Sequence, residues 1–201
     1  MTGRGGTLGR VIRRPTGRSA GLGRCDMCGV DLPERHRHTL DEQREDLLCV
    51  CRACALLFER DDAGRGRYRL VPTERRRLPE VSPRDLGIPV SLAFVVTRKD
   101  GTAIAHYPSA AGATRWEIDT EAWRTVLRGC PQLAAGLTPG VRALLVNAAR
   151  GHHETWIVPI DDCYRLVALI HREWKGLSGG DTVWPAIEEF FAGLQEGSPH
   201  G

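Results

Sequence analysis

Apolar positions in the second half of the chain follow two distinct periods. Ser91 to Thr97 and Thr102 to Tyr107 are dense in apolar and β-branched residues, and Lys99, Asp100 and Gly101 between them have hairpin-turn chemistry. Thr114 to Ile118 reads as a third strand. Val141 to Asn147 and Glu154 to Ile160 read as a further pair across a polar turn. Between these sets the period changes. Trp123, Val126, Leu127 and Cys130 fall on one face of a helix capped by Asp119 or Thr120 and ended by Pro131. Cys163, Leu166, Val167, Ile170 and Trp174 recur at helical spacing, and Val183, Ile187, Phe190, Phe191 and Leu194 nearly repeat it. These two closing helices are each expected to lay one face on the sheet. Asp161 or Asp162 and Asp181 stand where N-caps belong, and Gly176, Gly179 and Gly180 supply the break between the helices.

The first half has no comparable periodicity. Residues 1–24 are rich in Gly, Arg, Thr and Ser and are expected to be a disordered lead. Residues 25–60 form a cysteine module. Residues 61–89 are dense in Arg, Asp, Glu and Pro, with one short strand candidate at Tyr68 to Val71, and read as a surface linker. The expected organisation continues with an α+β domain over 90–195 and a disordered tail at 196–201. The expected fold class is α+β: a small cysteine module, then a mixed domain with an antiparallel sheet and C-terminal helices.

Five of the seven cysteines fall within 30 residues as C-x2-C-x20-C-x-C-x2-C: Cys25, Cys28, Cys49, Cys51 and Cys54. Two C-x2-C pairs match a four-cysteine zinc pattern, because the two-residue gap lets both thiolates reach one tetrahedral ion. Cys25, Cys28, Cys51 and Cys54 are the expected ligands, and Gly29 allows the sharp turn behind Cys28. His38 to Leu40 and Leu47 to Val50 can pair as a hairpin, and the segment from Cys51 reads as the start of a short helix. Knuckle, hairpin and helix in that order resemble a treble-clef finger. A module of about 35 residues builds a core worth only ~3 to 5 kcal/mol, whereas a structural zinc supplies ~10 to 16 kcal/mol. Without metal it is expected to unfold.

Two other uses of these cysteines stand beside zinc. Disulfides would need an oxidising compartment. A rubredoxin-like iron site or an iron–sulfur cluster fits Cys25-Asp-Met-Cys28-Gly29, but the second pair is followed by Ala55 where a second knuckle would have glycine. Cys49 shares a face with Cys51 if the strand stays extended, so it could be an additional or alternative ligand, as could His36 and His38; the other reading is a buried small hydrophobe at Cys49 and surface histidines.

The formal net charge of +3 hides an asymmetry: residues 1–24 carry six arginines and no acid, leaving 22 basic against 25 acidic residues afterwards. A folded region near −3 does not suit a basic nucleic-acid face, so nucleic-acid binding is expected only as weak tail contacts. No apolar run is long enough for a membrane span, and the lead lacks the apolar segment of a secretory signal. A cytoplasmic location is expected. His152, His153 and Glu154 read as a surface loop, and Asp161-Asp162-Cys163 as a helix start with a core thiol. The chain contains no Walker A, G-x-G-x-x-G or H-E-x-x-H run, and catalysis is not expected.

The runs His36-Arg-His38, Cys49-Val-Cys51-Arg-Ala-Cys54-Ala-Leu-Leu-Phe58, Tyr107-Pro-Ser109-Ala-Ala-Gly112-Ala-Thr114, Cys163-Tyr-Arg-Leu-Val167 and Gly176-Leu-Ser-Gly-Gly180 together resemble an uncharacterised actinobacterial family. The resemblance spans Cys25 to Leu194. It implies genomic proximity to uptake [NiFe]-hydrogenases, and hence a non-catalytic accessory role through contacts with another protein. Two further functions remain open: a zinc-finger nucleic-acid-binding or regulatory protein, and an iron-containing electron carrier.

Overall fold

The computed structural model describes residues 23–59, 66–109, 112–175 and 181–196. The chain divides into two compact units, Met1–Pro72 and Thr73–Gly201. The expected lead up to residue 22, the tail from residue 197 and the glycines expected between the last two helices lie outside the described residues.

The first unit is built on a three-stranded antiparallel sheet in the order β2-β1-β3, from β1 (Arg37–Asp41), β2 (Asp46–Val50) and β3 (Tyr68–Leu70). The hairpin turn after β1 is closed by Asp41, whose Oδ1 accepts from the backbone N–H of Gln43 (3.1 Å) and Arg44 (3.3 Å). Its Oδ2 accepts from Arg67 Nη2 at 3.1 Å, so one buried carboxylate ties the turn to the chain entering β3. A short helix, α1 (Arg52–Leu56), follows β2. The core is small: Cys25, Leu32, Val50, Cys54 and Ala55 are its buried members.

The second unit carries a six-stranded antiparallel sheet in the order β4-β9-β8-β5-β6-β7. Its strands are β4 (Arg76–Arg77), β5 (Leu92–Thr97), β6 (Ala103–Ser109), β7 (Gly112–Glu117), β8 (Arg142–Asn147) and β9 (Glu154–Pro159). The β5–β6 hairpin turns where expected, with Gly101 at φ +86° and Thr102 N–H donating to Asp100 Oδ1 at 2.9 Å. The helices are α2 (Thr120–Gly129), α3 (Pro131–Gly136), α4 (Ile160–Glu173) and α5 (Val183–Glu196). Asp119 caps α2 by accepting from Glu121 and Ala122 N–H. Pro131 ends α2 and opens α3 at its first position, where a missing N–H is tolerated.

Strand alternation gives the sheet two apolar faces. On one, Ala93, Val95, Ala105, Leu144, Val146 and Ile157 pack with Trp123 and Val126 of α2 and Leu133 of α3. On the other, the register aligns His106, Phe94, Leu145 and Trp156 as one row across β6, β5, β8 and β9. The helix α4 packs against β6 to β9, burying Cys163, Leu166, Val167 and Ile170, and α5 makes its main contact with α4.

Three expectations differ from what is observed. The stretch 61–89 is not a plain linker. Tyr68–Leu70 completes the first sheet, Arg76–Arg77 pairs with β9, and Leu78, Val81, Leu86 and Ile88 are buried in the second core. Their apolar side chains follow no period because they lie along an irregular strap between prolines. Neither Asp161 nor Asp162 is an N-cap: Pro159 holds that position, and both acids occupy the first turn, where the helix dipole favours negative charge. The second closing helix rests on α4, where a direct seat on the sheet was expected.

Candidate metal centre

The first C-x2-C pair sits in a knuckle. Cys25 N–H donates to Val30 O at 2.8 Å and Gly29 N–H to Cys25 O at 2.9 Å, while Gly29 takes φ +75°, a conformation that a side chain would strain. The second pair straddles the start of α1: Cys51 is its N-cap, and Cys54 N–H donates to Cys51 Sγ at 3.4 Å. Cys51 N–H in turn donates to Cys25 Sγ at 3.4 Å. The segments on either side of the hairpin thus bring four sulfurs together, all within 4.8 Å of one another.

Cys28 Sγ and Cys51 Sγ are 3.7 Å apart. A tetrahedral ion with metal–sulfur bonds of ~2.3 Å places its ligands ~3.8 Å apart, so this spacing fits one ion and is far longer than the ~2.05 Å of a disulfide. All seven cysteines are free thiols. Burial pushes the Cys25 thiol up, but backbone N–H donors at Cys51, Cys28 and Met27, with the Cys28 side chain, outweigh it and lower it to about 6. Burial pushes Cys54 up to about 12, reinforced by the sulfurs of Cys28, Cys51 and Cys25. One thiolate, Cys25, therefore forms readily and opposes ionisation of Cys54. A dication reverses that balance, because coordination deprotonates a thiol outright. The group can hold a metal ion, and its donor set is suited to one.

His36, His38 and Cys49 do not join these four. They form a separate group, with one ligand atom of each within 4.8 Å of the others. Sequence spacing alone placed Cys49 beside Cys51. The structure instead makes Cys49 the cross-strand partner of His38. The sequence gives no signal for Asp26: it lies between Cys25 and Cys28, and its Oδ2 accepts from Cys49 N–H at 2.7 Å. Only hairpin register could have revealed that pairing.

Cys163 is fully buried, which pushes its thiol well up, with the charges of Asp162 and Asp161 adding to the effect. Cys130 is buried at the α2–α3 junction. His153 Nδ1 meets Glu80 Oε1 at 2.7 Å, and His152 lies 3.8 Å from Glu154 and Glu188. Among the described residues, no metal-binding group includes either histidine.

Fold and centre define an α+β protein with a four-cysteine finger ahead of a two-faced antiparallel sheet. The chain belongs to a family of unknown function (DUF5947), which matches it over residues 24–198. Neither the curated proteins nor the solved structures gave a match. Among the described residues, no helix is long and apolar enough to cross a membrane.

Proposed function

We propose that the four-cysteine group holds a structural zinc ion and that the finger it stabilises docks on a partner protein, making this chain a non-catalytic accessory protein. The observation that carries this reading is the apolar surface on the finger itself. Val30, directly after the knuckle, is 51% exposed, and Leu56 and Leu57, just after the last cysteine, are 54% and 61% exposed. In a module with so few buried apolar residues, leaving three large ones in water is a cost that contact with a partner would offset. The acidic balance after residue 24 supports a protein partner over nucleic acid. The second cysteine pair sits on a helix and not in a second knuckle, which supports zinc over a rubredoxin-type iron. The family resemblance noted above points to [NiFe]-hydrogenase or its maturation factors as the partner.

The test is affinity capture from the native cell with three baits: full-length protein, a form lacking residues 1–24, and Leu56→Asp/Leu57→Asp. The first two are expected to recover the same protein partner and the third to lose it while retaining its zinc. Sequence-selective DNA or RNA binding by the tail-less form near ~150 mM salt, with no protein recovered, would overturn the reading.

A further inference from the structure

His36, His38 and Cys49 are assembled by the hairpin. His36 and His38 lie two residues apart in extended chain, so their side chains share a face. Cys49 pairs directly with His38 across the strands, which puts its side chain on that face as well. The two imidazole centroids are 4.8 Å apart, and all three residues are half-buried.

The state of His36 is informative. Its Nδ1 lies 3.0 Å from the carbonyl oxygen of Pro33. A carbonyl can only accept, so Nδ1 carries the proton and, in the neutral ring, Nε2 presents a lone pair. That Nε2 is buried and has no hydrogen-bond partner. A buried acceptor without a partner is costly. An imidazole that donates one ring N–H to a backbone carbonyl and leaves the other nitrogen open is also how metal-ligating histidines are held.

Cys49 is fixed just as firmly. Its N–H donates to Asp26 Oδ2 at 2.7 Å, and its carbonyl accepts from Asp26 N–H at 2.9 Å. Asp26 belongs to the knuckle between Cys25 and Cys28, so the same loop that presents two sulfurs to the first centre positions Cys49.

We propose that His36, His38 and Cys49 form a second metal site, distinct from the four-cysteine group, that binds a divalent first-row ion such as zinc. Two imidazoles and a thiolate favour zinc and its neighbours over magnesium or calcium. Three protein ligands leave a coordination position for water or an incoming donor, which is the arrangement of exchangeable or chemically active zinc, whereas four cysteines close a structural site. The inference is independent of the partner-docking reading, which concerns Leu56 and Leu57.

The test uses reduced full-length protein loaded with zinc and freed of excess metal. Wild type is expected to carry about two zinc ions, one passing rapidly to a mild colorimetric chelator and one released only when an organomercurial modifies the thiols. Cys49→Ala and His36→Gln are each expected to lose the rapid ion and keep the slow one, whose retention also shows that the finger is folded. Cobalt(II) admitted to the emptied rapid site should give a thiolate charge-transfer band that both variants lack. A single ion in wild type would overturn the proposal, as would a rapid ion that survives both variants. Loss of the slow ion from both variants would overturn it too, by assigning these residues to the first centre.

Discussion

Phe94 and His106 face each other across β5 and β6 with their rings stacked, centroids 4.8 Å apart and planes 3° from parallel. The imidazole is buried in the apolar row beneath α4, and its Nδ1 has no hydrogen-bond partner. Burial is the main reason that its pKa falls to about 4, with the charges of Arg115 and Arg98 adding to the effect. Above roughly pH 6.5 the ring is neutral in both folded and unfolded chains and contributes no pH dependence. As pH falls, the unfolded chain takes up a proton that the folded chain refuses. Stability is therefore lost between roughly pH 6.5 and 4, by about 3 kcal/mol, and this contribution levels off below that window. Urea unfolding across pH 4 to 7 should show the loss. His106→Leu should flatten it relative to wild type, and an unchanged slope would contradict the assignment.

Arg75 and Asp162 lie 87 residues apart in sequence and are joined by two hydrogen bonds, Nε to Oδ2 at 2.6 Å and Nη2 to Oδ1 at 3.0 Å. Asp162 is buried and also meets Arg165 Nη2 at 3.0 Å. Asp162→Ala removes the main partner of a mostly buried guanidinium, and an unfolding cost of ~3 to 5 kcal/mol is expected. Replacing both, Arg75→Met with Asp162→Leu, should recover much of that loss, because no unpaired charge is then buried. Chemical denaturation of the three variants measures both effects.

Gly136 closes α3 against Ile157. A Cβ at this position would collide with Ile157 Cδ1, the end of a fully buried side chain that must shift within the core to admit it. Gly136→Ala is expected to destabilise the second unit by about 1 to 3 kcal/mol despite alanine's better helix propensity. Gly129→Ala is the control, since nothing lies within 4 Å of a Cβ there. The comparison is a difference in denaturation midpoint between the two variants.

Metal removal should act on one unit. Among the described residues the first unit's core cluster has five buried members, too few to fold it without the ion. Strong chelation under reducing conditions should abolish amide protection in β1, β2 and α1 and leave β5, β6, β8 and β9 protected. Hydrogen exchange read by mass spectrometry checks this. Parallel loss in both units would show that the metal stabilises the whole chain.

Most regular elements were legible before the structure was known, since strand alternation, helical spacing, the Lys99-Asp100-Gly101 turn and the cap at Asp119 are local properties, decided within a few residues. The four-cysteine group was legible for a related reason: C-x2-C spacing restricts both thiolates to one ion whatever surrounds them. Tertiary structure decided what depends on pairing between distant segments. Leu78, Val81, Leu86 and Ile88 belong to the core because the strap crosses a sheet face, and no period along the chain encodes that. His106 is kept neutral by burial beneath a helix and by the charges of Arg115 and Arg98, and that burial is not visible in its neighbours in sequence. Cys49 shows the division most sharply. Its spacing from Cys51 suggested one centre, but β1–β2 register sets it opposite His38 and backbone bonds to Asp26 hold it there. A one-residue slip in a strand reverses every side chain, so the pairing partner, and not the neighbouring cysteine, determines which group this thiol joins.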